Sequence, residues 1–554
     1  MKGIKQTISS FLSTKIIIQA ALVGLFSGLV VIFFKFCINE LFSFIQNFIS
    51  HLTLIQKIII FPMITTLGGL VSGILVYKFA PETKGSGIPF VKMVMARMGN
   101  ITRARSVVVK FLAGLVGIGS GLSLGREGPS VQLGAGCGAF VSKFFKLKGA
   151  MQEKLIAAGA GSAIGATFNA PIAGTLFVFE ELTTKFNVNL LFTVLVATVI
   201  ASGVARYFMG NNPSFDIPII TGELDFKGLI VCAVLGVVSG ILGVLFAKVI
   251  YFNNELFEKL KIIPCWLKPA ISGLGVGLIG LFIPQVLGSG NLAVDSLFAN
   301  NFPLVLVVVI FLAKFLVTPF CFGSGAAGGI FLPMLMLGAF LGYIVASIFN
   351  IFGFEVNPII IAIIGMGAFL SAVARTPITA IVMVFEMTAG YKFILPIMLS
   401  AAIADLVAQK FNHKPIYSKL IVNQLEHYET KESSKLKVVD CMSSDVIKFP
   451  VDMKIEEVIL KVKDYSYSSF PIVDKNNKLM GLINKSDIED VILYNVDKEQ
   501  EISLIMNIEP ITINEDESLC IAYYRLHINN VNLLVVTDKK QNVIGVVTRS
   551  DIYN

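Results

Sequence analysis

The sequence predicts an all-α polytopic membrane domain of two inverted-topology repeats with broken, re-entrant helices, followed by a cytoplasmic α/β domain. Three observations carry this. Of 554 residues, 55% are hydrophobic and only 15% are charged, whereas soluble globular chains carry about a quarter charged residues. The apolar excess is confined to about Ile16–Ala408, where runs such as "IIIQAALVGLFSGLVVIFF" and "FPLVLVVVIFLAKFLV" follow one another. Each approaches the roughly 20 residues that cross about 30 Å of hydrocarbon. At roughly 25 residues per crossing with its loop, the region holds on the order of 14–18 helical segments. After His413 the pattern changes to alternating charged and β-branched stretches, as in a soluble α/β domain.

The third observation is duplication. "FAPETKGSGI" from Phe79 resembles "FIPQVLGSGN" from Phe282, a shift of 203. "GREGPSVQLGA" from Gly125 aligns with "GGIFLPMLMLGA", pairing Pro129 with Pro333 and Gly134 with Gly338 at a shift of 204. "APIAGTLFVFE" matches "TPITAIVMVFE", pairing Glu180 with Glu386 at 206. The repeat halves run about 16–210 and 228–412. Gly and Pro breaks at matched positions in two halves point to a midplane site in repeat-built transporters, because irregular backbone at membrane depth must face protein or a water-filled cavity.

Three loops of this kind stand out: "GSGIP" (Gly85–Pro89), "GREGP" (Gly125–Pro129) and "GGIFLP" (Gly328–Pro333). Each reads as a glycine-rich loop that opens a helix. Helix N-termini present unpaired N–H groups and a positive partial charge, so three converging ones make an anion site without full cations. That weaker grip suits an ion that must also leave.

These loops, in this order, resemble the three signature loops of the CLC chloride channel and transporter family. "KFLAGLVGIGSGLSLGREGP", with Lys110 sixteen residues before Arg126, and "KPIYSKL" near the end of the membrane part extend the resemblance over essentially the whole chain. It implies a central chloride held by the Ser86 and Tyr417 hydroxyls and the amides of Ile330 and Phe331, with Gly85 and Leu332 in the same loops. It also implies an outer site at the amides around Arg126 and Gly128, and a homodimer with one pathway per subunit. Lys110 and Arg126 read as structural cations that raise the local potential or pair with buried carboxylates.

Glu127 aligns with Phe331 in the second half, so the fold itself does not require a carboxylate there. A charge at membrane depth costs about 2.5–3.5 kcal/mol on insertion scales and is a functional residue by default. A carboxylate is an anion that competes with chloride for helix ends and loses that attraction on protonation, which makes Glu127 a gate linking proton to chloride movement. In "FEEL", Glu180 is shared with Glu386 and reads as a backbone cap. Glu181 aligns with Met387, and the resemblance makes it an inner proton acceptor, a position that channel members usually lack. No titratable residue evident in the sequence bridges Glu127 and Glu181, so water is expected to carry the proton between them.

The tail, 437–554 after a linker at 421–436, holds a second repeat at a constant shift of 64, pairing Met442 with Met506, Asp474 with Asp538 and Gly481 with Gly545. Its copies, about 437–494 and 501–554, each read strand–helix–strand–strand–helix. They resemble a tandem CBS pair, which implies an adenine nucleotide site. Thr548 and Asp551 in "GVVTRSDI" match the ribose-contact pattern, and Asn484 departs from it in the first copy. The same residues also suit a purely structural dimerisation module.

Other classes recede. The formal charge of +8 is dispersed, with no basic block for nucleic acid. Seven scattered cysteines and four histidines suggest no disulfide framework, zinc site or other metal, and no nucleophile–base constellation marks an enzyme. Lys2, Lys5 and Lys15 before the first span favour a cytoplasmic N-terminus, and a cytoplasmic tail agrees. The first span lacks a signal-peptide cleavage pattern. The leading expectation is a multi-pass proton-coupled chloride antiporter that needs no cofactor. The alternatives are a passive chloride channel of the same fold, in which Glu181 would be idle, and a CBS-regulated cation transporter, which would need acidic or carbonyl-rich midplane sites.

Overall fold

The computed structural model describes residues 14–98, 101, 104–183, 186–211, 214–215, 225–299, 302–411, 413–429, 436–462, 465, 467–493, 497–529 and 531–553. Lys2 and Lys5 lie outside them. The chain divides into two compact units, Met1–Leu420 and Ile421–Asn554.

Among the described residues, sixteen α-helices precede residue 411, eight in each half. In the first half they are α1 (Thr14–Ser50), α2 (Leu54–Ile74), α3 (Ile88–Met95), α4 (Ala104–Gly119), α5 (Glu127–Phe144), α6 (Ala150–Phe168), α7 (Pro171–Phe177) and α8 (Val188–Met209). The second half repeats the order with α9 (Phe226–Lys259), α10 (Lys268–Phe282), α11 (Asn291–Ala299), α12 (Leu304–Gly323), α13 (Phe331–Ile351), α14 (Pro358–Ala374), α15 (Pro377–Thr388) and α16 (Ile394–Lys410). Among the described residues, seven helical stretches are long and apolar enough to cross a membrane. Others are not: α3 has 8 residues, about 12 Å at 1.5 Å per residue. The breaks fall where glycine and proline predict them. α3 starts after Gly87, held left-handed at φ 95°, a conformation that glycine adopts without strain.

The duplication is visible as reciprocal contacts. α5 packs on α6 so closely that a Cβ on Gly134 would stand 2.2 Å from the carbonyl oxygen of Gly159, and one on Gly159 2.1 Å from that of Gly134. Gly338 and Gly365 repeat this between α13 and α14, at 2.3 and 2.2 Å. Small residues let membrane helices approach to backbone contact. The Glu180 carboxylate accepts from the amides of Ile378 (3.0 Å) and Thr379 (2.6 Å) at the start of α15. Glu386 does the same for Ile172 (3.1 Å) and Ala173 (2.8 Å) at the start of α7. Each half thus supplies acceptors to amides that the other half's helix leaves unpaired. Equivalent residues contacting each other's counterparts are the mark of a two-fold relation.

A further helix, α17 (Ile416–Glu429), leads out of the first unit. The tail contains two copies of one motif. The first has strands β1 (Phe449–Pro450), β2 (Ser469–Val473) and β3 (Leu479–Asn484); the second has β4 (Thr512–Asn514), β5 (Leu533–Thr537) and β6 (Val543–Thr548). In each sheet the first strand runs parallel to the second and the second antiparallel to the third. A helix follows the first and third strand of each copy. Val458, Phe470, Ile472 and Ile483 fill one core. The copies also exchange contacts: Ser443 bridges to Val546 and Asn507 to Leu482, while Met442 packs on Gly545 and Met506 on Gly481.

A methyl group added at either glycine pair must push two helices apart, and such overpacking costs about 1–3 kcal/mol. Gly159→Ala and Gly365→Ala should each lower the thermal unfolding temperature of the purified protein. Gly203→Ala, where an added Cβ meets nothing within 4 Å, should not.

Candidate functional site

The three glycine loops meet. Gly125 and Gly329 exchange both backbone hydrogen bonds, each 2.6 Å, and the Gly328 amide donates to the Gly85 carbonyl at 3.1 Å. Gly128 lies against Ser86, where a Cβ would stand 2.3 Å from the Ser86 Oγ. α3, α5 and α13 therefore begin side by side inside the protein, and their first amides have no intrahelical acceptor. Ile330 and Phe331 open α13 and are buried, with the Phe331 ring centroid 5.7 Å from that of Phe168 and 6.4 Å from that of Phe177.

Glu127 is the first residue of α5, 0% exposed. Its Oε2 accepts from the Leu332 amide at 3.3 Å, so the carboxylate lies on the N-terminus of α13. Its Oε1 has no hydrogen-bond partner among the described residues. Among the described residues, the buried hydroxyls of Ser86 and Tyr417 likewise have none. A buried polar group without a partner costs about 1–3 kcal/mol and calls for an explanation. A hydroxyl and helix amides gathered beside a carboxylate, at Ser86, Gly128 and Leu332, suit an anion.

Glu181, in the last turn after α7, is buried, unlike an ordinary solvated helix-end charge. Its Oε1 accepts from Lys92 Nζ at 2.7 Å. The same amine donates to the Ser418 hydroxyl at 2.8 Å, next to Tyr417. Among the described residues, no hydrogen bond joins Glu181 to Glu127.

Among the described residues, the two cations singled out in the sequence, Lys110 and Arg126, pair with no carboxylate. Lys110 Nζ donates to the carbonyls of Thr83 (2.8 Å) and Gly85 (2.6 Å), which fixes the first loop. Lys314 repeats this at Val286 (2.9 Å) and Gly288 (2.8 Å). Arg126 Nη1 donates to Asn39 Oδ1 at 2.9 Å.

Sequence reasoning missed Lys92, Lys314 and Gln132. The shift of 204 from Lys110 identifies Lys314. An ionisable residue inside the apolar "GIPFVKMVM" marks Lys92 by the same rule that marks Glu127. Gln132 carries no such signal. It is fully buried against Gly87, with neither amide atom partnered among the described residues.

In the tail, Asp551 Oδ2 accepts from both the amide and the hydroxyl of Thr548, each at 2.7 Å. This is a capping arrangement for the last helix (Arg549–Tyr553). Asp487 Oδ2 accepts from the amide (2.8 Å) and side chain (3.0 Å) of Asn484 in the same way. The departure at Asn484 thus leaves the local geometry intact.

The voltage gated chloride channel profile matches residues 68–409, and the CBS domain profile matches 438–494 and 500–554. The H(+)/Cl(-) exchange transporter ClcA of Citrobacter koseri is 35% identical over 437 residues, covering 76% of this chain and 91% of that protein. ClcA of Vibrio vulnificus is 34% identical over 449 residues, covering 77% and 95%. The crystal structure of a slow cyanobacterial Cl-/H+ antiporter superposes with a TM-score of 0.71 at 28% identity, over 76% of this chain and all of that one. A eukaryotic CLC transporter shares the fold over 97% of this chain and 98% of its own, at TM-score 0.68 and 19% identity. The three loops, the duplicated helices and these likenesses agree: this chain belongs to the voltage gated chloride channel family and carries two CBS domains after its membrane part.

Proposed function

We propose that this protein is a proton-coupled chloride antiporter, gated by Glu127 and supplied with protons through Glu181. The observation that carries this is the Glu127 carboxylate lying on the Leu332 amide at the start of α13, fully buried, with its second oxygen unpartnered. An anionic side chain there competes with chloride for helix amides, and protonation removes its claim. Proton on the glutamate and chloride in the pocket then favour each other, while the ionised glutamate and chloride exclude each other. Alternation between these states moves the two ions in opposite directions. Ser86, Tyr417 and the amides of Ile330 and Phe331 hold the central chloride, with Gly85 shaping the first loop. The amides around Arg126 and Gly128 hold the outer one.

Glu181 is buried beside Lys92, a place where a carboxylate exchanging protons is shielded from bulk water. Water bridges the interval to Glu127. The names of the relatives, H(+)/Cl(-) exchange transporters, support the exchanger over the passive channel. The protein works as a homodimer with one pathway per subunit, in the cell membrane, both termini cytoplasmic.

The tail reads adenine nucleotide through Thr548 and Asp551. A second reading is favoured by the mutual bonds of those residues, repeated at Asn484 and Asp487, which account for both as helix caps in a structural module.

In liposomes holding the purified protein under a chloride gradient, uphill proton movement is expected, and its absence selects the channel. Glu127→Gln should reduce proton flux to background while chloride flux continues; retained coupling removes Glu127 as the gate. Glu181→Gln should also abolish proton movement and spare chloride; persistent pumping places the inner relay elsewhere. Thr548→Ala should weaken binding of adenine nucleotide roughly tenfold, the effect of one lost hydrogen bond to a charged or polar group. If only thermal stability falls, by about 1 kcal/mol, the capping reading stands alone.

A further inference from the structure

Gln132 on α5 is 0% exposed, and neither atom of its amide has a hydrogen-bond partner among the described residues. It lies against Gly87, the residue before α3, where a Cβ would stand 2.9 Å from the Gln132 Oε1 and 3.0 Å from its Cβ. α3 packs both on α5 and on the turn Val178–Leu182 that carries Glu181. Along α5, Gln132 is about 7.5 Å from Glu127 at 1.5 Å per residue. Along α3, Lys92, which holds Glu181, is about 7.5 Å from Gly87 by the same measure. The chain of contacts from Glu127 to Glu181 through these two helices thus passes Gln132.

The second half shows what packing alone demands at this place. At the shifts of 203 and 204, Gly87 corresponds to Gly290 and Gln132 to Met336. The contact is repeated there: a Cβ on Gly290 would stand 2.6 Å from the Met336 Sδ, and Met336 is 1% exposed. An unbranched thioether fills the same space without needing hydrogen bonds. Packing therefore asks for a long side chain at position 132, not for an amide, and an amide buried without partners is unfavourable. Glu127 against Phe331 and Glu181 against Met387 show the same pattern, a polar residue whose counterpart is apolar.

An amide carries both donors and acceptors. Chloride would satisfy only its N–H groups, and a cation only its oxygen. Water does both, and a buried water typically makes about three hydrogen bonds to otherwise unsatisfied polar groups. Two more groups without partners among the described residues lie on the same loops: the hydroxyl of Ser86, next to Gly87, and Oε1 of Glu127.

We propose that Gln132 is a positioning residue for proton transfer, its amide anchoring the water that carries protons between Glu181 and Glu127. This rests on the antiport reading above and adds the side chain that fixes the path of the water. With an apolar side chain in its place, that stretch would stay dry, as apolar cavities do.

The test records proton and chloride flux together in liposomes holding the full-length protein. Gln132→Met installs the side chain that the second half carries at the matching position, so the thermal unfolding temperature should stay close to that of the unmodified protein. Proton flux should fall roughly tenfold while chloride flux continues, the size of one lost hydrogen bond. An unchanged proton-to-chloride ratio, whether both fluxes persist or both fall, overturns the proposal. A high-resolution crystal structure of the unmodified protein should show ordered water within hydrogen-bond distance of the Gln132 amide. An amide with no water beside it also overturns the proposal, and this arm survives a failure of Gln132→Met to fold. If the unmodified protein moves chloride without protons, the antiport reading falls and takes this one with it. If it exchanges both ions and Gln132→Met leaves the ratio as it was, this one falls alone.

Discussion

A helix that starts inside a membrane protein brings unpaired amides into a medium that offers them no water. Three such starts, those of α3, α5 and α13, meet here, and much of the surrounding structure is arranged around them. Gly125 and Gly329 tie two of the loops together through paired backbone bonds. Lys110 clamps the carbonyls of the third. One of these helix-start amides, that of Leu332, donates to the Glu127 carboxyl. The positive ends of the helices attract negative charge without needing a full cation.

The scaffold is close to two-fold symmetric, and the two unshared glutamates lie where the symmetry breaks. Lys110 and Lys314 perform the same task in the two halves, as do Glu180 and Glu386, and the glycine pairs of α5–α6 and α13–α14. Glu127 faces its counterpart position occupied by Phe331, and Glu181 corresponds to Met387. Lys92, which holds Glu181, corresponds to Asp295. One half therefore carries the two unshared glutamates, and the other has apolar Phe331 and Met387 in the same places.

The breaks, the repeat and the two unshared glutamates were legible because their signals are local: a glycine–proline rhythm, a nearly constant shift, a carboxylate among apolar residues. The capping role of Glu180 followed from its being shared. What sequence could not give was pairing across the fold. Lys92 and Glu181 are 89 positions apart, and nothing in either segment names the other. Arg126 was expected to raise the local potential or to meet a carboxylate, and it donates to Asn39, an uncharged partner 87 positions away. Gln132 looked like an ordinary helix residue; only its complete burial beside Gly87 marks it. In the tail the order of strands and helices was readable, whereas the likeness of Asn484 to Thr548 needed coordinates, since an amide and a hydroxyl make the same bond from the same spot.

The crossed caps have a consequence for how the gene product could be cut. Glu180 closes a helix of the second half and Glu386 one of the first, so each fragment made alone would display bare amides in lipid where its partner's acid belongs. Co-expressed as separate polypeptides, however, the two carry complementary surfaces that would reunite them without a covalent link.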